Sequence, residues 1–185
     1  MHLFTFQKQV WLPKPITNVF EFFANAGNLE TITPPWLHFA VVTPTPIKMC
    51  VGTEIDYRLR LRNIPIKWRS DITRWEPPNL FVDVQTKGPY RHWIHTHRFI
   101  EQDGGTLAYD ELKYAVWGDR LINLLFVARD IHKIFHFTCF HRREAPFFKN
   151  TCFAQDPWNW VKMRIKLIIQ NLTTTLGSAQ PFSSK

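Results

Sequence analysis

Apolar and polar residues alternate without interruption between residues 54 and 62. One set of positions carries four apolar side chains, Ile55, Tyr57, Leu59 and Leu61. The intervening positions carry Asp56 and three arginines, Arg58, Arg60 and Arg62. Because successive side chains of a strand point to opposite faces, the pattern predicts an antiparallel strand with one buried and one solvated face.

Further strand patterns, separated by turn residues, extend to residue 116. Asp103-Gly104-Gly105 is the clearest hairpin signal, because Asp-Gly sequences adopt the positive φ angles that a tight hairpin turn requires. We therefore expect a sheet of about seven strands. Their predicted ranges are 3–12, 36–43, 54–62, 66–72, 80–86, 90–101 and 106–116.

Helical spacing occurs in two places. After Pro13 and Pro15, a cluster of apolar residues predicts a short helix that ends near Gly27, and a second short helix follows over residues 28–32. A long helix is predicted from Asp119. Its apolar stripe is Leu121, Leu124, Leu125, Ala128, Ile131 and Phe135. The expected fold class is α+β: a curved antiparallel sheet, with two short helices after the first strand, wrapped around a long C-terminal helix.

Several segments strengthen this prediction by their resemblance to known sequences. They are Thr33-Pro34-Pro35-Trp36-Leu37, Gly52-Thr53-Glu54-Ile55-Asp56-Tyr57-Arg58-Leu59, Trp75-Glu76-Pro77-Pro78, Phe81-Val82-Asp83-Val84-Gln85 and Gly88-Pro89-Tyr90-Arg91-His92-Trp93-Ile94-His95-Thr96-His97-Arg98-Phe99. These segments resemble uncharacterised bacterial members of the START-like helix-grip (SRPBCC) superfamily, which includes polyketide cyclases. The resemblance implies a ligand-binding domain over residues 1–138 with an internal cavity, and leaves residues 139–185 as a C-terminal extension.

The aromatic content, with sixteen Phe, eight Trp and four Tyr, fits either a lined cavity or an aromatic core. If a cavity is present, one set of residues is expected to form its wall: Tyr57, Leu59, Trp68, Phe81, Trp93, Phe99 and Tyr114. Three residues of the long helix are expected to close it: Leu121, Leu125 and Ala128.

Two histidines, His95 and His97, share the inner face of a predicted strand. Imidazoles at this spacing lie close enough to share a metal ion, to which Asp83 would contribute if the strand register places it on the same face. Alternatively, these three residues and Gln85 orient the polar end of a ligand, and a histidine or Asp83 serves as an acid–base group. We favour ligand orientation and expect no metal or cofactor.

Net charge and cysteine usage narrow the classes of partner. The formal charge of +8 would suit an anionic partner. The arginines of the 54–62 strand, with Lys67 and Arg69, would form a basic stripe on the outer face of the sheet. The aromatic residues Tyr57 and Trp68 fall on the inner face instead, so nucleic-acid binding is not expected. Three cysteines without a CxxC pair favour a reducing compartment. With no signal-peptide pattern and no long apolar run, we expect a cytoplasmic protein.

The extension contains paired tryptophans, Trp158 and Trp160, followed by apolar residues that alternate with basic and polar ones over residues 161–169. The tryptophans would suit transient contact with a membrane interface. The alternation instead favours a strand that pairs with a sheet edge or a second chain. The oligomeric state is left open.

The favoured function is non-covalent binding, as a carrier or sensor, of an apolar or amphiphilic small molecule such as a lipid, quinone or polyketide. A second hypothesis is a cyclase, dehydratase or isomerase that uses a cavity histidine as general base. A third is an interaction module whose interior is packed solid.

Overall fold

A seven-stranded antiparallel sheet forms most of the domain. The computed structural model describes the backbone of residues 1–141 and the side chains of residues 1–137. The strands are β1 (Phe4–Leu12), β2 (Ala40–Val41), β3 (Glu54–Leu61), β4 (Ile64–Glu76), β5 (Leu80–Lys87), β6 (His92–Gln102) and β7 (Gly105–Ala115). Their order across the sheet is β1-β7-β6-β5-β4-β3-β2. The first strand thus pairs with the last at one edge of the sheet, and the remaining strands follow from β6 back to β2 at the other edge.

Two short helices follow β1, as the sequence predicts. They are α1 (Ile16–Ala24) and α2 (Gly27–Ile32). The predicted strand over residues 36–43 is mostly wrong: a 3₁₀ helix occupies Pro35–Leu37, and only Ala40–Val41 forms β2. Proline favours the first turn of a helix because its φ angle is fixed and its missing N–H is not needed there.

The β6–β7 hairpin turns at Asp103 and Gly104, whose φ angles are 52° and 71°. Positive φ at both central residues is the turn geometry that an Asp-Gly sequence favours. The neighbouring Gly105 is required for a different reason. A side chain there would meet the carbonyl oxygen of Leu12 at 2.5 Å and the ring of Trp11 at 2.7 Å, so only glycine lets β1 approach this closely.

The apolar faces of the sheet and of α1 form the first part of the core. Phe20 and Phe23 of α1 pack on Phe99, with ring centroids 5.7 and 5.3 Å apart, and Phe20 also contacts Phe81. The same cluster contains Leu12, which is 1% exposed. Helix α1 therefore covers the end of the sheet at which β1 finishes, and leaves the remaining inner face to other elements.

The C-terminal helical segment covers part of that remaining face. It consists of α3 (Asp119–Ile122), a π-helical turn (Asn123–Val127) and α4 (described from Ala128 to His141). Ile131 is 2% exposed and packs in a cluster with Leu112 and Tyr114 of β7. Arg62, in the β3–β4 turn, ties the segment to the sheet through its ion pair with Asp130 at 2.9 Å.

Among the described residues, no helix combines the length and the apolar character needed to cross a membrane. The predicted strand at 161–169, the proposed membrane contact of Trp158 and Trp160, and nearly all of the 139–185 extension lie outside the described residues.

Candidate functional site

A cavity of about 250 Å³ lies between the inner face of the sheet, α2 and α4. Eight residues of the predicted site line it: Tyr57, Leu59, Trp68, Phe81, Asp83, Trp93, His95 and His97. Helix residues that also line it include Phe23 of α1, Leu29 of α2, and Ile131, Ile134 and Phe135 of α4. Most of these side chains are apolar, so the polar ones mark a distinct part of the wall.

The strand register brings three of the polar residues together. Asp83 of β5 is directly opposite His95 of β6, and His97 lies two residues further on the same face. Asp83 Oδ2 is 3.8 Å from His95 Nδ1 and 3.3 Å from His97 Nε2. The sequence left the parity of this pairing undetermined, because it depends on the path of the chain between β5 and β6.

A second carboxylate, Asp110 of β7, completes what we call the polar cluster (Asp83, Asp110, His95 and His97). Asp110 is opposite His97 in the β6–β7 register. Its Oδ1 is 2.8 Å from His97 Nδ1 and 3.5 Å from His95 Nε2. Each imidazole therefore turns one nitrogen towards each carboxylate. All four side chains are between 12% and 18% exposed, so the cluster is largely shielded from solvent.

Sequence reasoning missed Asp110, although a signal was present. Along β7, Ala108, Leu112 and Tyr114 are buried, and Asp110 occupies the same alternating set. A carboxylate in phase with buried apolar residues is an unusual position and needs a partner. Attention to that phase would have placed Asp110 on the inner face, whereas its position opposite His97 depends on the β6–β7 register.

Neighbouring groups fix the orientation of the polar cluster. Ser70 Oγ donates a hydrogen bond to Asp83 Oδ1 at 3.2 Å and accepts one from Trp68 Nε1 at 3.0 Å. The ring of Phe81 stacks on that of His97, with centroids 4.2 Å apart. Asp83 thus has one oxygen occupied by Ser70 and the other directed at the two imidazoles.

The electrostatics of the polar cluster favour a charged state. Burial by itself would lower the pKa of His97, but the carboxylates of Asp110 and Asp83 outweigh it and raise this pKa to about 9. Burial would raise the pKa values of both carboxyls, yet their contacts with the imidazoles hold these pKa values below the usual range. At neutral pH His97 is therefore an imidazolium between two carboxylates.

Three predicted strand residues lie outside the cavity wall. The Gln85 side chain spans the turn after β5: its Nε2 donates to the carbonyl of Tyr90, and its Oε1 accepts from the Tyr90 N–H. Phe99 is buried beneath α1. Tyr114 donates its hydroxyl hydrogen to Asn123 Oδ1 at 3.0 Å, which binds β7 to the π-helical turn. All three hold the frame around the cavity.

The predicted lid residues are also placed elsewhere. Leu121 and Leu125 are 64% and 52% exposed, and Ala128 is half-buried but not part of the wall. A π-helical turn holds more residues than an α-helical turn, so Asn123–Val127 shifts the phase of the stripe at its N-terminal end. The inward residues here are Ile122 and Val127.

The outer face of β3 and β4 carries paired charges. Arg69 contacts Asp56 and Glu54, each at 2.7 Å. Asp71, further along β4, accepts a hydrogen bond from Thr86. Such exposed pairs contribute at most about 1 kcal/mol, and the absence of nucleic-acid binding stays a prediction.

Comparison with known proteins identifies the fold. No family model and no curated protein matches the chain. Among solved structures, a Nitrosomonas europaea protein is similar with a TM-score of 0.57 at 10% identity, over 76% of this chain and 92% of its own. A Mycobacterium smegmatis protein gives 0.54 at 17% identity, over 72% and 85%. Ara h 8.0201 gives 0.52 at 14% identity, over 74% and 95%. The predicted helix-grip fold is confirmed.

Proposed function

We propose that this protein is a non-covalent carrier or sensor of an amphiphilic small molecule, which it holds in the cavity beneath α4. The observation that carries the proposal is the composition of the wall: a single polar cluster interrupts a lining that is otherwise almost entirely apolar. Small-molecule sites commonly combine a mainly apolar lining with a few polar groups that fix the orientation of the ligand.

The apolar part of the ligand would lie against aromatic side chains. Trp68 and Trp93 pack edge to face with centroids 5.0 Å apart, and Tyr90 lies 4.5 Å from Trp93. Rings that hold one another in this way present apolar surface without losing much further rotational freedom when a ligand binds. Burial of apolar ligand surface contributes roughly 25 cal/mol per Å², which suits a lipid, quinone or polyketide chain.

The polar end of the ligand would lie at the polar cluster. Carboxylates accept hydrogen bonds and imidazoles donate them, so a hydroxyl or carbonyl group could be recognised there. A pure hydrocarbon would offer the polar cluster no further hydrogen-bond partner, whereas a polar ligand group would; a buried hydrogen bond left unmade costs about 1–3 kcal/mol. This contrast favours an amphiphilic over a wholly apolar ligand.

Native mass spectrometry of the purified full chain, followed by organic extraction, tests the proposal. The expected result is a mass increment that disappears when the protein is denatured and whose source partitions into the organic phase. Uptake of 8-anilinonaphthalene-1-sulfonate, with enhanced fluorescence and one site per chain, would support the same conclusion. A protein that carries no increment and takes up no probe contradicts the proposal.

A second candidate function is a cyclase, dehydratase or isomerase with a cavity histidine as general base. The specific observation in its favour is the pair of histidines that contact carboxylates in the cavity. The raised pKa of His97 argues against that residue as the base, because it already holds a proton at neutral pH. His95 is then the candidate base. His95→Gln should abolish turnover and leave probe uptake intact; if uptake is lost instead, His95 is a binding group.

A further inference from the structure

The polar cluster contains a set of side chains suited to a metal ion. Asp83, His95 and His97 each offer one ligand atom, and these atoms lie within 4.8 Å of one another. The residues come from two adjacent strands, which hold their backbones in fixed register. Two imidazoles and one carboxylate are the donor set that Zn²⁺ and other divalent first-row metal ions accept in proteins.

The distances between the donor atoms suit a single ion. Asp83 Oδ2 is 3.3 Å from His97 Nε2 and 3.8 Å from His95 Nδ1. Zn–N and Zn–O bonds of about 2.0–2.1 Å in tetrahedral geometry separate neighbouring ligand atoms by roughly 3.3–3.5 Å. The two distances from Asp83 are therefore close to those of a tetrahedral site, and all three donors lie within 4.8 Å of one another.

The groups behind the donors also fit a metal site. Asp110 Oδ1 lies on the opposite side of both imidazoles, 2.8 Å from His97 Nδ1 and 3.5 Å from His95 Nε2. Metal-binding histidines typically direct their second nitrogen to a carboxylate, and metal-binding carboxylates accept a further hydrogen bond. Ser70 supplies the second feature, because its hydroxyl donates to the other oxygen of Asp83.

A second observation concerns the two imidazole nitrogens that face Asp110, on the side opposite Asp83. The buried atoms His95 Nε2 and His97 Nδ1 have close carboxylate neighbours but form no hydrogen bond of acceptable geometry. Unsatisfied buried polar atoms are uncommon in folded proteins and can mark a functional group or an ion site. Slight rotation of the rings around a bound ion would align both nitrogens with Asp110.

We propose that Asp83, His95 and His97 bind one divalent transition-metal ion, with Asp110 as the carboxylate that orients the two histidines. The ion would take the place of the proton on His97 Nε2, which is released to solvent on binding. Three protein ligands leave at least one coordination position for another donor. Because the site is in the cavity wall, that position would be open to an oxygen donor of the bound molecule. This last step rests on the proposed function, whereas the metal site itself does not.

Zn²⁺ binding to the full chain tests the proposal. After treatment of the wild type with a chelator and dialysis, calorimetry with ZnCl₂ and elemental analysis should show one bound ion per chain. His97→Gln and Asp83→Asn should each reduce the affinity for this ion at least a hundredfold. Asp110→Asn should weaken it by about 10- to 100-fold, as is typical for an outer carboxylate. His92→Gln, on the opposite face of β6, is the matched control and should bind like the wild type.

The wild-type chain also gives a readout that does not depend on any variant folding correctly. Zn²⁺ should shift the imidazole NMR resonances of His95 and His97 and leave those of His92 unchanged. A wild type that binds no Zn²⁺, or one whose Zn²⁺ leaves the His95 and His97 resonances in place, overturns the proposal. Folded His97→Gln or Asp83→Asn protein that retains the ion with wild-type affinity overturns it as well. If metal-free protein takes up the anilinonaphthalene probe but never binds Zn²⁺, the metal site fails and the carrier function stands.

Discussion

Asp110 determines much of the charge state of the polar cluster, because it contacts both imidazoles from the side opposite Asp83. In the chelator-treated protein, Asp110→Asn should lower the pKa of His97 from about 9, since burial would then be opposed by one carboxylate instead of two. Histidine NMR over a pH titration measures this directly. Glu111→Gln, at the adjacent position, should leave the pKa of His97 nearly unchanged; equal shifts in both variants would contradict the assignment.

The raised pKa of His97 also makes the stability of the metal-free protein depend on pH. The folded-state pKa of His97 lies above its ordinary value of 6.5, so the stabilisation by its protonated form is complete below about pH 6.5. It is lost as pH rises through about 9. Metal-free wild type should therefore lose stability over this interval in urea titrations, and Asp110→Asn should lose less over the same interval. A steeper loss in the variant would show that another group controls this pH range.

Ser70 is buried between Trp68 and Asp83 and hydrogen-bonds to both. Ser70→Ala should lower the free energy of unfolding by about 1–3 kcal/mol, because at this buried position the Trp68 Nε1–H loses its acceptor and Asp83 loses a donor. Thr86→Ala removes an exposed hydrogen bond to Asp71 and should cost less than about 0.5 kcal/mol. Urea denaturation of both variants measures the difference, and equal costs would contradict the role given to Ser70.

The sequence could predict which site residues share a face within one strand, but not which residues of neighbouring strands lie opposite them. The alternation within β6 placed His95 and His97 together because that relation is local. Their proximity to Asp83 depends on the β5–β6 register, which depends on the geometry of the connecting turn. Asp110 depends in the same way on β7, so a single strand pattern could not show that two carboxylates enclose the pair.

At the level of elements, the C-terminal helical segment shows where periodicity alone fails. A regular α-helix places Leu121, Leu124 and Leu125 on the same stripe as Ile131. The π-helical turn interrupts this spacing, and those three leucines are 64%, 77% and 52% exposed. No residue type in Asn123–Val127 announces a π-helical turn, whereas the buried hydrogen bond from Tyr114 to Asn123 gives a tertiary reason for it.

This phase shift predicts which substitutions in the helical segment block the cavity. Ile134→Trp should fill the space beneath α4 and reduce uptake of the anilinonaphthalene probe at least tenfold, because Ile134 is part of the wall. Leu124→Trp makes a similar increase in size at a position that is 77% exposed and should leave uptake within twofold of the wild type. Fluorescence titration and circular dichroism of both variants test this, and loss of uptake in Leu124→Trp alone would reverse the assigned phase.

Across the whole molecule, the predicted order of elements is confirmed because most of it depends on local signals. Alternating segments and turn residues mark β3 to β7, and neighbours joined by short turns pair in the sheet. The pairing of β1 with β7 is different, since Phe4 lies opposite Tyr114 across more than a hundred residues. That pairing satisfies the backbone hydrogen-bonding groups along the open edge of β7, a requirement that arises only in the complete sheet.

The distribution of the core leads to a final prediction about the domain boundary near residue 138. Within the described residues, three apolar clusters draw on side chains from Phe4 to Phe135, and a chain ending after residue 141 retains all of them. A chain that ends after residue 141 should therefore fold, with a thermal midpoint within a few degrees of the full chain and the same probe uptake. A chain that ends after Val116 is the control: without Ile131 and Phe135 the cluster on β7 is left open to water, so cooperative unfolding should be lost. Failure of the longer piece to fold would move the boundary into the extension.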